Sequence, residues 1–270
     1  MAVTDISLTS GMRSNLVSLQ GTVDLLNRTQ ERLATGKKVN SPLDNATNYF
    51  VAKSHLDRAG DLAVRKDGMG EAIQTVKAAN EGIKAIQQLI ESAKGLAQSA
   101  YSADTTGAAT LAGQFDAIRT QIDNLAADSR YKGTNLLNGE NLSVVFNEGG
   151  TSSLEISGFS ADCSNLSISA AANNWAGTGD INTAIEQLDD ALESLRTNAS
   201  ALSASMNVIT TRQEFTEGMV NILTEGADKL TAADTNEEGA NMLMLQVRQA
   251  LGTTALSLSA QAAQSVLRLF

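Results

Sequence analysis

The 270-residue chain has one cysteine, one proline, one tryptophan and one histidine, and aromatic residues make up only 4% of it. A single cysteine, Cys163, allows no internal disulfide, and with His55 as the only histidine there is no His/Cys set for a zinc site. Cys163 reads as a lone buried or loop cysteine, and His55, in the polar run KSHLDR, as a solvated helix residue. Basic charge is scarce as well. Twenty Lys and Arg stand against 30 Asp and Glu, a net charge of -10. An acidic chain with few aromatics and no basic tail is a poor ligand for nucleic acid or an anionic membrane. The N-terminal stretch MAVTDISLTSGMRSNLVSLQ lacks a basic region followed by an apolar one, so it does not read as a Sec signal peptide. There is no HExxH and no Walker-type phosphate loop. Carboxylate pairs such as Asp189-Asp190 fall on a polar helix face, and Gly158, Gly177 and Gly179 read as turn punctuation. Neither an enzymatic activity nor a cofactor is expected.

With Pro42 the only proline, long helices are permitted almost anywhere. Met12, Leu16, Leu19, Val23, Leu26 and Leu33 follow alternating four-three spacing with Gln30 in the one polar slot, the seam of a coiled-coil helix that Gly36 closes. Ser41-Pro42-Leu43-Asp44 reads as the next helix start, with Ser41 as N-cap. That helix runs to about Ala100, its apolar face built from Ile73, Val76, Ile83, Ile86, Ile90, Ala93 and Ala97. Asp104 to Gly107 breaks it. A shorter helix carries Leu111, Phe115, Ile118, Ile122 and Leu125 and ends near Ser129. Between Asn138 and Thr178, Gly, Ser and Asn accumulate. Residues 142–146 and 153–157 predict strands of a hairpin, and 160–176 is ambiguous. Asp180 then caps a four-three register that holds from Ile181 to Leu230 with only Gln213 and Thr216 polar, a long coiled-coil-like helix. Asp234 or Thr235 caps a final helix.

That final stretch, residues 239–270, has only Arg248 and Arg268 charged. Its apolar residues Leu243, Val247, Leu251, Leu256, Leu258, Val266 and Leu269 are spread around the helical wheel, and it ends in Phe270. A helix apolar on most faces must be buried on most faces. A chain end has little of its own fold to hide in, so a covering by other chains is predicted. Eight Gln, Ser and Thr residues in the uncharged run from 249 to 267 argue against membrane insertion, where each would need a partner. The predicted class is mainly α: long helices forming a coiled-coil rod, paired N- and C-terminal helices, and a small β-hairpin region in the middle of the chain. The 12–33 seam is the natural partner of the tail helix.

Three segments on this frame resemble bacterial flagellin. They are Arg32-Leu-Ala-Thr-Gly-Lys-Lys-Val-Asn-Ser-Pro-Leu-Asp-Asn-Ala46, Tyr131-Lys-Gly-Thr-Asn-Leu-Leu-Asn-Gly139, and the Ala-, Gln- and Leu-rich tail ending Leu267-Arg268-Leu269-Phe270. The resemblance implies a short flagellin without large outer domains. Residues 1–44 and 233–270 would form the filament-core helices, and 45–232 a rod domain with a β-rich excursion at about 138–178. It implies a secreted, extracellular homopolymer, a helical filament for swimming motility, exported unfolded through the flagellar type III channel. The implied partners are a flagellar export chaperone, the filament cap protein and hook-associated proteins. The core positions Met12, Leu16, Leu19, Val23, Leu26, Leu33, Leu243, Val247, Leu251, Leu256, Leu258, Val266, Leu269 and Phe270 are the expected assembly residues. The family's immune-receptor motif would fall near 90–100, where the run Ile90-Glu91-Ser92-Ala93-Lys94-Gly95-Leu96-Ala97 departs from the recognised form and argues against strong receptor activation.

An isolated terminal helix pair buries too little to offset an ordering cost of roughly 1–2 kcal/mol per residue. Residues 1–40 and 235–270 are therefore expected to order on polymerisation. The alternative reading is a hook–filament junction protein, which shares the terminal helices. An unrelated adhesin or receptor coiled coil would explain the long register but not the paired ends.

Overall fold

The computed structural model describes residues 10–267. It is mainly α: α1 (Ser10–Thr35), α2 (Ala46–Ala100), α3 (Thr105–Asp128), α4 (Thr178–Thr231) and α5 (Thr235–Leu267), with strands β1 (Leu142–Val145) and β2 (Ser153–Ile156) between α3 and α4. The chain divides into two compact units. One contains Arg58–Ile222, and the other the chain up to Asp57 and from Leu223 onward. Both α2 and α4 contribute to each.

In the unit spanning Arg58–Ile222 the helices supply one apolar cluster. On α2 the buried positions Met69, Ala72, Val76, Ala79, Ile83, Ile86, Ile90, Ala93, Ala97 and Ala100 alternate three and four apart, so one stripe faces the core for over four heptads. Phe115 and Ile122 of α3 and Leu188, Leu195, Leu202 and Ile209 of α4 complete it. On α4 every seventh residue from Ile181 to Leu223 is buried, Thr216 included. That polar slot belongs to the seam, as its spacing predicts.

Caps set the helix ends. Asp104 Oδ1 accepts from the Gly107 N–H at 2.8 Å and fixes the start of α3. At its other end Asn135 Nδ2 donates to the Ala126 and Ala127 carbonyls at 2.8 and 3.0 Å, and Asn135 Oδ1 accepts from Leu137 N–H. A buried amide thus satisfies carbonyls the helix leaves orphaned. The predicted start at Ser41-Pro42 is corrected. Ser41–Asp44 is a turn, and α2 begins at Ala46 with Asn45 Oδ1 accepting from Asn48 N–H at 3.0 Å. The cause is Asp44, whose carboxylate is taken by the backbone N–H groups of Asn40 and Ser41 upstream. Asp180 likewise lies in the first turn of α4 and does not cap it. The helix begins two residues earlier, after Gly177.

β1 and β2 pair antiparallel in the register Leu142↔Ile156 to Val145↔Ser153, the predicted hairpin, with Val144 and Ile156 facing the core. Gly158 follows it where only glycine fits. A Cβ there would meet the carbonyl oxygen of Glu140 far inside contact distance and that of Leu136 at 2.8 Å. The ambiguous 160–176 stretch is irregular and held from outside. Asp123 accepts from Cys163 N–H at 2.7 Å, Arg119 Nε donates to the Ile168 carbonyl at 3.1 Å, and Asp116 accepts from Ala171 N–H at 3.2 Å. Trp175, 2% exposed, packs on Phe115 with ring centroids 5.0 Å apart.

Candidate functional site

The residues expected to drive assembly lie on α1 and α5, which pack along each other. Gly36, with φ +67°, ends α1 as predicted. Just beyond it the two strands of chain are tied together. Lys38 N–H donates to the Thr231 carbonyl at 2.7 Å, and Ala233 N–H to the Gly36 carbonyl at 2.9 Å. Asp234 Oδ1 then caps α5 through the N–H groups of Asn236 and Glu237, at 2.9 and 3.2 Å. One turn on, Glu238 Oε1 meets Arg32 Nη1 at 3.0 Å. The Glu238 side chain is only 7% exposed, so this pair is shielded from solvent far more than a surface ion pair.

On α1, Met12 is buried and Leu16, Leu19, Val23 and Leu26 are half-buried, while Leu33 stays 38% exposed. The alternate slots of the seam are shifted by one residue from the sequence reading. Thr22 and Thr29 are buried, Val23 is less so, and Gln30 is exposed. A threonine can face the partner helix because its hydroxyl bonds back along its own helix, as Thr22 Oγ1 does to the Ser18 carbonyl at 2.9 Å.

The face of α5 turned inward is Glu238, Met242, Leu245, Gln249, Gly252, Leu256, Ser259 and Ala263, an unbroken four-three register. Five of its eight positions are polar or small. At Gly252 a Cβ would stand 3.1 Å from Leu19 Cδ1, so glycine permits the close approach. Leu245, 5% exposed, is the deepest apolar residue of α5. Sequence reasoning passed over it because larger numbers of Leu and Val lie off its register. Of the expected assembly residues on α5, Leu256 alone among those described faces inward. Leu243, Val247, Leu251 and Leu258 are 60–66% exposed, with Met244 beside them at 59%. Each stands two residues from an inward position, close to the opposite side of a helix of 3.6 residues per turn. The helix therefore has a seam on one side and an uncovered apolar stripe on the other. The side chain of Val266 and the residues Leu269 and Phe270 lie outside the described residues.

Among the described residues no group of three or more His, Cys, Asp and Glu could hold a metal ion, and no helix is long and apolar enough to cross a membrane. Cys163 is buried, and burial together with the Asp123 carboxylate pushes its thiol up to about 12. A thiol held protonated is a poor nucleophile.

Residues 7–142 match the family described as bacterial flagellin N-terminal helical region, and residues 185–270 the bacterial flagellin C-terminal helical region. Flagellin FljM of Caulobacter vibrioides is 30% identical over 281 residues, covering 100% of both chains. Flagellin FljK of the same organism is 28% identical over 276 residues, again covering 100% of both. A flagellin of Brucella melitensis is 30% identical over 268 residues, 94% of this chain and 95% of that one. These full-length matches favour the filament subunit over the junction reading. The paired terminal helices, the helical unit with its small hairpin and the two family matches lead to one conclusion: the chain belongs to the flagellin family, as a structural subunit that assembles into the bacterial flagellar filament.

Proposed function

We propose that this subunit builds the filament core through residues 1–44 and 233–270, with α1 and α5 as the contact elements. The observation that carries the reading is the two-sided α5. Its inward register is closed by α1, and its outward stripe of Leu243, Val247, Leu251 and Leu258 is left to solvent in a single chain. Burying one such side chain is favourable by roughly 1.5–3 kcal/mol. Neighbouring copies in a helical polymer supply that burial, and the same burial stabilises the helices themselves. α1 and α5 are thus marginal in the free subunit and firmly helical in the filament. Contacts of this kind are head-to-tail and run on without closing.

The subunit acts as a building material with no catalytic step. It is exported by the flagellar type III route with the help of an export chaperone, joins the filament beneath a cap protein, and is continuous with hook-associated proteins at the base. It binds no nucleic acid and inserts in no membrane. Purified subunit seeded with filament fragments should grow long uniform filaments in negative-stain electron microscopy. Chains that never elongate would contradict the reading. Limited proteolysis adds the second half: α1 and α5 should be cut readily in the subunit and resist in the filament, and equal resistance in both would contradict order on assembly.

A further inference from the structure

Leu43 is 96% exposed, more than any other large apolar side chain among the described residues. It does not sit on a loose loop. Pro42 fixes the backbone before it. Asp44 Oδ2 accepts from the N–H groups of Asn40 and Ser41 at 3.1 and 3.0 Å and from Ser41 Oγ at 3.2 Å, and Asp44 N–H returns to the Ser41 carbonyl at 3.1 Å. An isobutyl group is thereby held out at the apex of a hydrogen-bonded turn. A lone surface leucine needs no explanation, but one on a preorganised turn loses little entropy on docking.

The unit spanning Arg58–Ile222 holds a cavity of about 170 Å3. Its buried lining is Leu62, Phe146 and Thr216, and the ion pair of Arg58 and Glu148, 2.8 Å apart, lines it as well. Met219 and Phe215 also line it, and Phe215 is 61% exposed, a large aromatic left in water. The Arg212 guanidinium, another lining group, lies 5.3 Å from the centroid of the Phe146 ring. A void of about 150 Å3 takes up a benzene-sized group, so the volume admits a leucine side chain against the apolar wall of Leu62, Phe146, Phe215 and Met219.

We propose that Leu43 of one copy seats in the Phe146–Phe215 cavity of a neighbouring copy in the filament. The inference rests on the filament-subunit reading. A helical polymer requires two different surfaces on each copy, one that inserts and one that receives. Leu43 and the cavity lie in different compact units of the chain, so one copy can do both. Among the charged lining groups Arg58 and Glu148 pair with each other at 2.8 Å, and Arg212 offers Asp44, which adjoins the inserting leucine, an opposite charge that favours one direction of entry.

Cysteine pairing tests this directly, because the native Cys163 is buried and does not compete. Chains carrying Leu43→Cys and chains carrying Phe215→Cys are mixed with wild-type chain in excess, grown from wild-type filament fragments and oxidised. The expected product is a disulfide-linked dimer of one variant with the other, absent from the unpolymerised mixture and from filaments holding either variant alone. Filaments that take up both variants and yield no such dimer overturn the proposal and leave the filament-subunit reading standing. Wild-type chain that fails to elongate the fragments overturns that reading instead. If a cysteine variant is excluded from the filaments, an alanine pair decides. Leu43→Ala and Phe215→Ala should each raise the critical concentration for growth about tenfold, and the double variant no further than the larger single effect. Effects that multiply would show the two sites to be independent and would contradict the proposal.

Discussion

The Cys163 Sγ donates to the Arg119 carbonyl at 3.4 Å and the Cys163 N–H to Asp123, so this residue fastens the irregular 160–176 stretch to α3. Burial, followed by the Asp123 charge, raises its thiol from near 9 to about 12. A group whose pKa is raised on folding contributes stability that is complete below the unfolded value and lost as pH rises toward the folded one. The unfolded chain sheds this proton first, so the folded state should weaken between about pH 9 and about pH 12. Denaturant titrations at pH 8 and pH 10.5 should show a steeper loss for the wild type than for Cys163→Ala. Identical slopes would mean the thiol is more solvated than its burial implies. This fastening is not legible in residue spacing. Asp116, Arg119 and Asp123 recur at three and four residues on α3 and look like a solvated face, yet each holds a backbone group of 160–171. Asn173 and Asn174 adopt positive φ more readily than most residues, but Trp175 does not, and its positive φ accompanies its packing on Phe115.

At the scale of the element, the long helices were legible because four-three spacing repeated over many turns averages out single exceptions. Their ends were less legible. Residues 104–107 read as a break, whereas α3 starts at Thr105 with Asp104 as its N-cap, and Asp104→Ala should destabilise the subunit by about 1 kcal/mol in chemical denaturation by leaving the Gly107 N–H unpaired. An unchanged midpoint would show that water replaces the cap. Asp44 misled because its carboxylate has two competing uses, and the backward turn wins over the forward cap. The α1–α5 seam was readable in outline but off by one slot at Thr22 and Thr29, since hydrophobicity alone ranks Val23 above Thr22. On α5 the inward register could be read only by asking which residues tolerate a close neighbour, and Gly252 answers that. Gly252→Val should push α5 off Leu19, leave the melting of the 58–222 unit unchanged and raise the critical concentration for filament growth at least several-fold. Growth at the wild-type concentration would show that the two helices do not pair closely in the polymer.

At the scale of the whole molecule, the division of labour follows composition. The 58–222 unit closes its own core with branched and aromatic side chains from three helices and the hairpin. The terminal pair has a half-polar seam and an uncovered stripe, so its stability is deferred to assembly. Charge placement on the stripe separates the two roles. Leu251→Asp should leave unfolding of the 58–222 unit as it is and abolish seeded growth, read by light scattering. Normal growth would mean that this face stays wet in the filament. The central claim, that α1 and α5 are completed by other copies, is tested most directly by amide hydrogen exchange along Thr235–Leu267 in subunit and filament. The account predicts fast exchange across 243–258 in the free subunit and strong protection in the filament, with 58–222 protected alike in both. Equal protection of α5 in both states would contradict it.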